Sequence, residues 1–540
     1  YEHLALTFNG EIYNYKAIKK ILVEKGYNFR TGSDTEVICA AYLEYGDDCV
    51  SHFDGMFAFV IYDSKANKLF GAVDRLGQKP FYYTRQNNGL EFGSQISQLK
   101  ISNQFTISER GTEEYLLRGY VTAPHTIYKE CHKLPAGYQF VYDLSSHTMD
   151  IKSYWDLKPV QQVDHSYEEA CNRVESLLTK ATASRLMSDV SLGAFLSGGV
   201  DSSLVCAIAQ QQLSDPLKTF SVKFSENEFD ESKHAANIAN HLGTDHTTIP
   251  CDPREALEML SDFNRYYDEP FADSSAIPSM LISKHTKQHV TVALTGDAGD
   301  ESFLGYKRYD WLTKLNNIYK LPSLGRKTLS VLLKGAKNYR YNIISQKLND
   351  HDNIDDLVSS FLETMYPDLL TQKSNHKNNY QKYLQLSSHI IQKAADLDIK
   401  LWLAGDGLVK VDRASMAYSL ECRSPFLDHR LMEYARSLPV AYRYDKGNKK
   451  KILKDILERY VPKELWDRPK QGFAIPVDKW MKDDLKEEVL DVLTVDNLKS
   501  IPVLNVDYFT KMMDAHYEGK LNFGPNIWNM FMYFKWRNSI

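Results

Sequence analysis

The chain has 540 residues, 43% of them hydrophobic and 25% charged, with a formal net charge of −5. That length is too great for one core and suggests roughly two to four domains of ordinary globular composition. A slightly acidic balance with interspersed charges gives no sign of a nucleic-acid surface, and a short basic cluster such as Lys449–Lys450–Lys451 reads as a solvated face.

Seven scattered cysteines, odd in number and without a CxxC pair, argue against a disulfide framework or a zinc site and fit a reducing cytosol. No apolar run approaches the ~18 residues that a membrane span needs. A cytoplasmic chain with no membrane and no nucleic-acid partner is therefore expected. The start, Tyr-Glu-His-Leu-Ala-Leu-Thr-Phe, has neither a basic leader region nor an initiator Met and reads as strand interior. The sequence is expected to begin inside a domain.

Residues 1–157 read as a layered α+β domain. Leu4–Phe8, Met56–Tyr62, Lys68–Val73, Phe81–Thr84 and Gln139–Asp143 have strand length, with turn signals at Ser64–Asn67 and Asn87–Gly89. Tyr15–Lys25 and Asp34–Tyr45 carry helical spacing, with Ser33 or Asp34 as N-cap. After a polar stretch, Leu157–His165, the character changes. Tyr167–Leu186 reads as helix, Val190–Leu196 as strand, Ser203–Gln212 as helix, Thr219–Phe224 as strand, Glu231–Leu242 as helix and Val290–Leu294 as strand. That alternation predicts an α/β parallel sheet over 166–540, with ligands at the carboxyl ends of its strands and helical additions from about Tyr306.

The segment Leu196–Ser197–Gly198–Gly199–Val200–Asp201–Ser202–Ser203 joins a buried strand directly to a helix. Glycines let backbone N–H groups approach an anion, and the helix start adds donors and a positive dipole end. Asp201 suits phosphate only with a cation between them, which points to Mg²⁺. No Lys follows the glycines, so this is not a Walker-A loop. A lone SGG is equally a plain capped turn. A second acidic turn, Thr295–Gly296–Asp297–Ala298–Gly299–Asp300–Glu301, ends the later strand and reads either as a solvated turn or as a second set of Mg²⁺ and substrate contacts.

The string SGGVDSS resembles the pyrophosphate loop of ATP pyrophosphatases. Together with Asn9–Gly10–Glu11, Gly32–Ser33–Asp34–Thr35–Glu36, Gly55–Met56–Phe57–Ala58–Phe59 and Asp74–Arg75–Leu76–Gly77–Gln78–Lys79–Pro80, the order and spacing resemble the glutamine-hydrolysing asparagine synthetase family, in which a class II glutamine amidotransferase domain precedes the synthetase domain. Glu269–Pro278, Leu408–Met416, Glu421–Asp428 and Lys446–Lys454 extend the resemblance along the chain.

The resemblance implies ATP and Mg²⁺ as cofactors, glutamine and aspartate as substrates, a β-aspartyl-AMP intermediate, and a homodimer. It implies Asn9 and Gly10 as an oxyanion hole and Glu11 and Asp34 as holders of glutamine's ammonium. It gives Leu196, Ser197, Gly198, Gly199, Asp201, Ser202, Val222, Thr295 and Gly296 to ATP, with Val222 beside adenine, and Asp201 and Asp300 to the metal. It implies Lys450 as the cation that stabilises the charge of adenylation, the match of Ile452–Leu453 to the family choosing it over Lys449 and Lys451. Asp297, where the family often has Glu, is a substrate contact or proton acceptor. The family's nucleophile, an N-terminal Cys, and its carboxylate-binding Arg lie upstream of Asn9 and have no counterpart here; the expectation is a fragment, against a chain that has lost glutaminase activity. Arg413 and Arg423 read as substrate anchors or as ion pairs with Asp412 or Glu421. Amidation of another carboxylate, such as a sugar acid, and a non-catalytic glutamine or nucleotide sensor are the alternatives.

Overall fold

A computed structural model describes residues 1–86, 89–223, 231–334, 339–363, 367–371, 380–468 and 476–540. In the first half β1 (Leu4–Ile12), α1 (Tyr15–Glu24), α2 (Asp34–Tyr45), β2 (Gly55–Asp63), β3 (Lys68–Val73), β4 (Tyr82–Gln86) and β5 (Gly89–Gly93) are followed by α3 (Ile96–Leu99) and α4 (Glu109–Arg118). Strands β6 (Cys131–Lys133), β7 (Tyr138–Asp143) and β8 (Met149–Ser153) complete it. An antiparallel sheet runs β1-β2-β3-β7-β8, and a second runs β5-β4-β6. Strand β2 reads as an unbroken apolar run because both its faces are covered. Phe57, Phe59 and Ile61 pack with Ile18, Leu22, Val37 and Ile38 of the helices. Ala58 and Val60 pack on the other side with Phe81, Tyr83 and Phe140. Ser33 is the N-cap of α2, its hydroxyl accepting from the Thr35 N–H at 3.1 Å.

The second half begins with α5 (Tyr167–Arg185), started by a reciprocal Ser166–Glu169 capping box. Then come β9 (Leu192–Phe195), α6 (Val200–Gln210), β10 (Lys218–Lys223), α7 (Ser232–Leu242), β11 (Asp245–Pro250), α8 (Pro253–Tyr266), α9 (Ala276–Thr286), β12 (Val292–Leu294), α10 (Gly299–Phe303) and, after a long helical stretch, β13 (Glu421–Arg423). The sheet is parallel throughout, in the order β11-β10-β9-β12-β13. From β9 the chain builds outward one way to β11, then returns to place β12 on the other side. The β9/β12 boundary is thus a topological switch point, where open α/β sheets bind ligands beyond their strand ends.

Several expected bounds move. Helix α6 starts at Val200, not Ser203, so Asp201 and Ser202 stand in its first turn. Strand β9 stops at Phe195, leaving Leu196 in the turn, and β1 continues to Ile12. Asn9–Gly10 is therefore not a hairpin turn: Gly10 lies opposite Phe57 within the ladder. Phe224, Asn87 and Asn88 lie outside the described residues.

The two halves share a core. Tyr115 and Leu116 of α4, and Tyr128 beyond it, pack with the apolar helix Gly524–Arg537, where the Tyr115 hydroxyl donates to the Asn529 carbonyl at 2.7 Å. Among the described residues no helix is long and apolar enough to cross a membrane.

Candidate active site

The turn after β9 is held open by its own hydroxyls. The Ser197 and Ser202 Oγ atoms lie 3.0 Å apart, and the Ser197 N–H donates to Ser202 Oγ at 3.2 Å. Gly198 takes φ +75°, left-handed backbone that glycine adopts without strain. Gly199, the N-cap of α6, has no side chain to satisfy the first N–H groups, which leaves them for an anion.

The turn after β12 comes up beside it. A Cβ on Gly296 would stand 3.0 Å from the Asp201 Cβ and the Ser202 N. A Cβ on Gly299 would meet Asp201 Oδ1 at 2.6 Å, and one on Gly305 would lie 1.9 Å from Asp300 Oδ1 and 2.2 Å from Lys450 Cε. Three missing side chains therefore make the space in which Asp201, Asp300 and Lys450 meet. Lys450 Nζ donates to Asp201 Oδ2 and lies 2.7 Å from Asp300 Oδ1. Burial opposes the charge on Lys450, but the two carboxylates outweigh it and hold its pKa above the usual lysine value. Lys450, Ala298 and Leu304 all have positive φ, a strained conformation outside glycine that clusters at functional sites.

The ammonium of Lys450 stands against two carboxylates, Asp201 and Asp300, which are the residues that would hold a divalent cation. Among the described residues no three His, Cys, Asp or Glu side chains form a metal cage. Two carboxylates with the remaining ligands from phosphate and water is the usual Mg²⁺ arrangement, so the donor set fits that ion. Thr295 Oγ1 donates to Asp297 Oδ2 at 2.6 Å, and Ser424 Oγ donates to the Asp297 carbonyl at 2.6 Å. Burial raises the Asp297 pKa, the Thr295 bond partly offsetting it. Val222 is buried on β10, one strand from the turn.

A second group of residues lies on β1. Gly10 takes φ +138°, and a Cβ there would stand 2.0 Å from the Met56 carbonyl oxygen, so no other residue fits the ladder. Asn9 Nδ2 points to Ser94 Oγ at 3.4 Å, and Asp34 Oδ2 accepts from the Ile12 N–H at 2.9 Å. Burial pushes the Glu11 pKa up to about 7, against the pull of Arg423, whose Nη2 is 3.4 Å from Glu11 Oε2.

Where the two halves meet lies a small cavity of about 20 Å³, lined by Met56, Gln78 and Lys79 from the first half and by Asp297, Asp412 and Ser424 from the second. That is room for about one molecule the size of water or ammonia. The Asp74 carboxylate shapes its first wall, accepting from the N–H groups of Phe57, Leu76, Gln78 and Lys79. Lys79 then reaches across to Asp412 at 3.0 Å.

The arginines settle as ion pairs. Arg423 Nε donates to Glu421 Oε1 at 2.6 Å. Arg413 does not pair with Asp412, which Lys79 takes; it donates to the Ser94 carbonyl at 2.7 Å and lies 3.8 Å from Asp268. Sequence reasoning missed Gly305, the Glu11–Arg423 link, and a buried Lys410–Asp273 pair at 2.9 Å that drives the Asp273 pKa down to about 2 against its burial. Gly305 lies just beyond the acidic string Thr295–Glu301, while the two ion pairs join segments far apart in the chain and had no local signal.

The asparagine synthase family profile matches residues 173–538, and a glutamine amidotransferase domain matches residues 1–155. Asparagine synthetase [glutamine-hydrolyzing] 1 of Bacillus subtilis is 31% identical over 99% of this chain and 85% of its own length. A putative asparagine synthetase [glutamine-hydrolyzing] of Mycobacterium tuberculosis is 27% identical over 99% and 84%. Among solved structures, the glutamine phosphoribosylpyrophosphate amidotransferase of B. subtilis aligns at 13% identity and a TM-score of 0.23, over 47% of this chain and 62% of its own.

Proposed function

The chain belongs to the asparagine synthase family with an amidotransferase domain ahead of it, and from that premise we propose that it converts aspartate to asparagine with ATP and ammonia drawn from glutamine. It is a glutamine-dependent carbon–nitrogen ligase. The observation that carries the reading is the meeting of Asp201, Asp300 and Lys450 at the switch point, with a small cavity between the halves lined by Asp297 and by Met56, the ladder partner of Glu11 on β1.

In this reading Glu11 and Asp34 hold glutamine's ammonium, while the Asn9 amide and the Gly10 N–H face its side-chain carbonyl oxygen, where charge develops. Ammonia passes along the cavity beside Lys79 and Asp412 to Asp297. Leu196, Ser197, Gly198, Gly199 and Ser202 cradle the pyrophosphate end of ATP, with Thr295 and Gly296 opposite and Val222 toward the base. Mg²⁺, held by Asp201 and Asp300, supplies charge neutralisation on the phosphates when bound.

The β-carboxylate oxygen of aspartate attacks the α-phosphorus, and the bond to the bridging oxygen breaks to release pyrophosphate. Lys450 stabilises the charge that develops there. Ammonia then attacks the acyl carbon, AMP leaves, and Asp297 takes the surplus proton; its raised pKa favours that transfer. We place this activity in the cytoplasm and in a homodimer.

The test is pyrophosphate release with Mg-ATP and ammonium chloride, with and without aspartate. Aspartate-dependent release matched by asparagine is expected; release indifferent to aspartate would remove aspartate as the acid.

A further inference from the structure

The phosphate turn has an outer side as well as the side it shows to Asp300 and Lys450. Against that outer side lies Arg468. Its Nη2 donates to the Ser197 carbonyl at 3.4 Å, and the same nitrogen stands 3.3 Å from where a Cβ of Gly198 would be. The His234 Cβ and the Ala235 N, both on the first turn of α7, are 3.3 Å and 3.2 Å from that point. The guanidinium thus fills the space over Gly198 together with the start of α7.

Its other nitrogens explain how it is held. Nη1 pairs with Glu231 Oε1 at 3.0 Å, and Glu231 is the N-cap residue of α7. Nε is buried with no hydrogen-bond partner among the described residues. The backbone is fixed two residues earlier by Trp466, buried in the core and donating from Nε1 to the Val461 carbonyl at 3.2 Å. The planar fork of an arginine can bond a carboxylate with one nitrogen and a carbonyl with another, which a lysine cannot do in fixed geometry.

We propose that Arg468 is a positioning residue for the phosphate turn: anchored by Glu231, it ties down the Ser197 carbonyl and fills the space behind Gly198. The turn's N–H groups and the Ser197 and Ser202 hydroxyls then face the pyrophosphate end of the nucleotide. It also brings a positive charge to the back of an anion site whose described neighbours Asp201, Asp300 and Glu231 are all acidic. Lys450, paired with two of those acids, is engaged on the other side.

This rests on the proposed ATP site, so the wild-type chain is the control. If wild type makes no pyrophosphate, the functional reading fails; if it does and the variants match it, only this inference fails. The experiment is ammonium-dependent pyrophosphate release by Arg468→Ala, Arg468→Lys and Glu231→Gln, titrating Mg-ATP, aspartate and added pyrophosphate. Arg468→Ala is expected to raise both the KM for ATP and the inhibition constant of pyrophosphate about tenfold, the size expected for one lost charge-assisted bond. Aspartate's KM should stay put, and millimolar guanidinium should restore part of the ATP affinity. Glu231→Gln should show a smaller shift of the same kind, and Arg468→Lys an intermediate one that stays readable if the alanine variant does not fold. ATP and pyrophosphate constants within twofold of wild type, or an equal loss for every substrate with no guanidinium rescue, would overturn it.

Discussion

Gly305 makes no contact with a nucleotide or substrate in this account, yet replacing it with alanine should cripple adenylation. The added methyl would sit 1.9 Å from Asp300 Oδ1 and 2.2 Å from Lys450 Cε. Ordinary contact needs about 3.4 Å or more, so each group must retreat by more than an ångström. Both hang from elements fixed by burial, since Glu301, Ser302 and Phe303 beside Asp300 and Ile452 and Leu453 beside Lys450 are core residues. The displacement therefore falls on the Asp300–Lys450 geometry itself. A misplacement of about 1 Å costs on the order of a hundredfold in rate. The overpacking itself costs about 1–3 kcal/mol, not enough to unfold a stable domain. The assay is pyrophosphate release with ammonium as nitrogen donor, beside a urea unfolding curve. Gly325→Ala, on an exposed helix where the methyl meets only Leu321 Cβ at 3.9 Å, is the control and should be neutral. A Gly305→Ala chain that folds and turns over at the wild-type rate would refute the claim that Asp300 and Lys450 must keep this separation.

Lys450→Met should lower turnover by roughly 10²–10³-fold at saturating ATP, the usual effect of losing one stabilising donor, measured in the same assay. Lys79→Met leaves the half-buried Asp412 without its cation and should lower the unfolding free energy by about 1–3 kcal/mol; adding Asp412→Leu should recover most of it in urea denaturation. Glu11, with its pKa near 7, is a neutral acid below that pH and loses its attraction for an ammonium. Glutamine's dissociation constant, followed by calorimetry, should therefore rise about tenfold for each pH unit below 7 and level off above it, and Glu11→Gln should abolish that slope.

Strand β2 was legible because cover on both faces leaves a continuous apolar run, and β1 was recognised but cut short at Asn9–Gly10, whose local signal is a turn. Its pairing with β2 overrides that signal, since Gly10 lies opposite Phe57 and has room for no side chain. The α/β alternation located the parallel sheet, but no sequence period could reveal that α4 is buried against a helix some four hundred positions later, as the Tyr115–Asn529 bond shows. The candidate site divides in the same way. Asp201 and Asp300 stand in strings of unusual composition at strand ends, so a site shared by the two turns was foreseeable; the basic cluster around Lys450 reads as a solvated face, and only the family resemblance singled that lysine out. Gly305, Arg468 and the Glu11–Arg423 pair are single residues whose meaning arises only when distant segments come together, and a string cannot show that.

The most direct test of the central claim is to supply Mg-ATP and ammonium chloride, then measure pyrophosphate and asparagine together as aspartate is titrated. The account predicts equal amounts of the two products, both saturating with aspartate and both lost in Lys450→Met. Pyrophosphate formed without aspartate, or none formed by a folded chain that binds ATP, would contradict it.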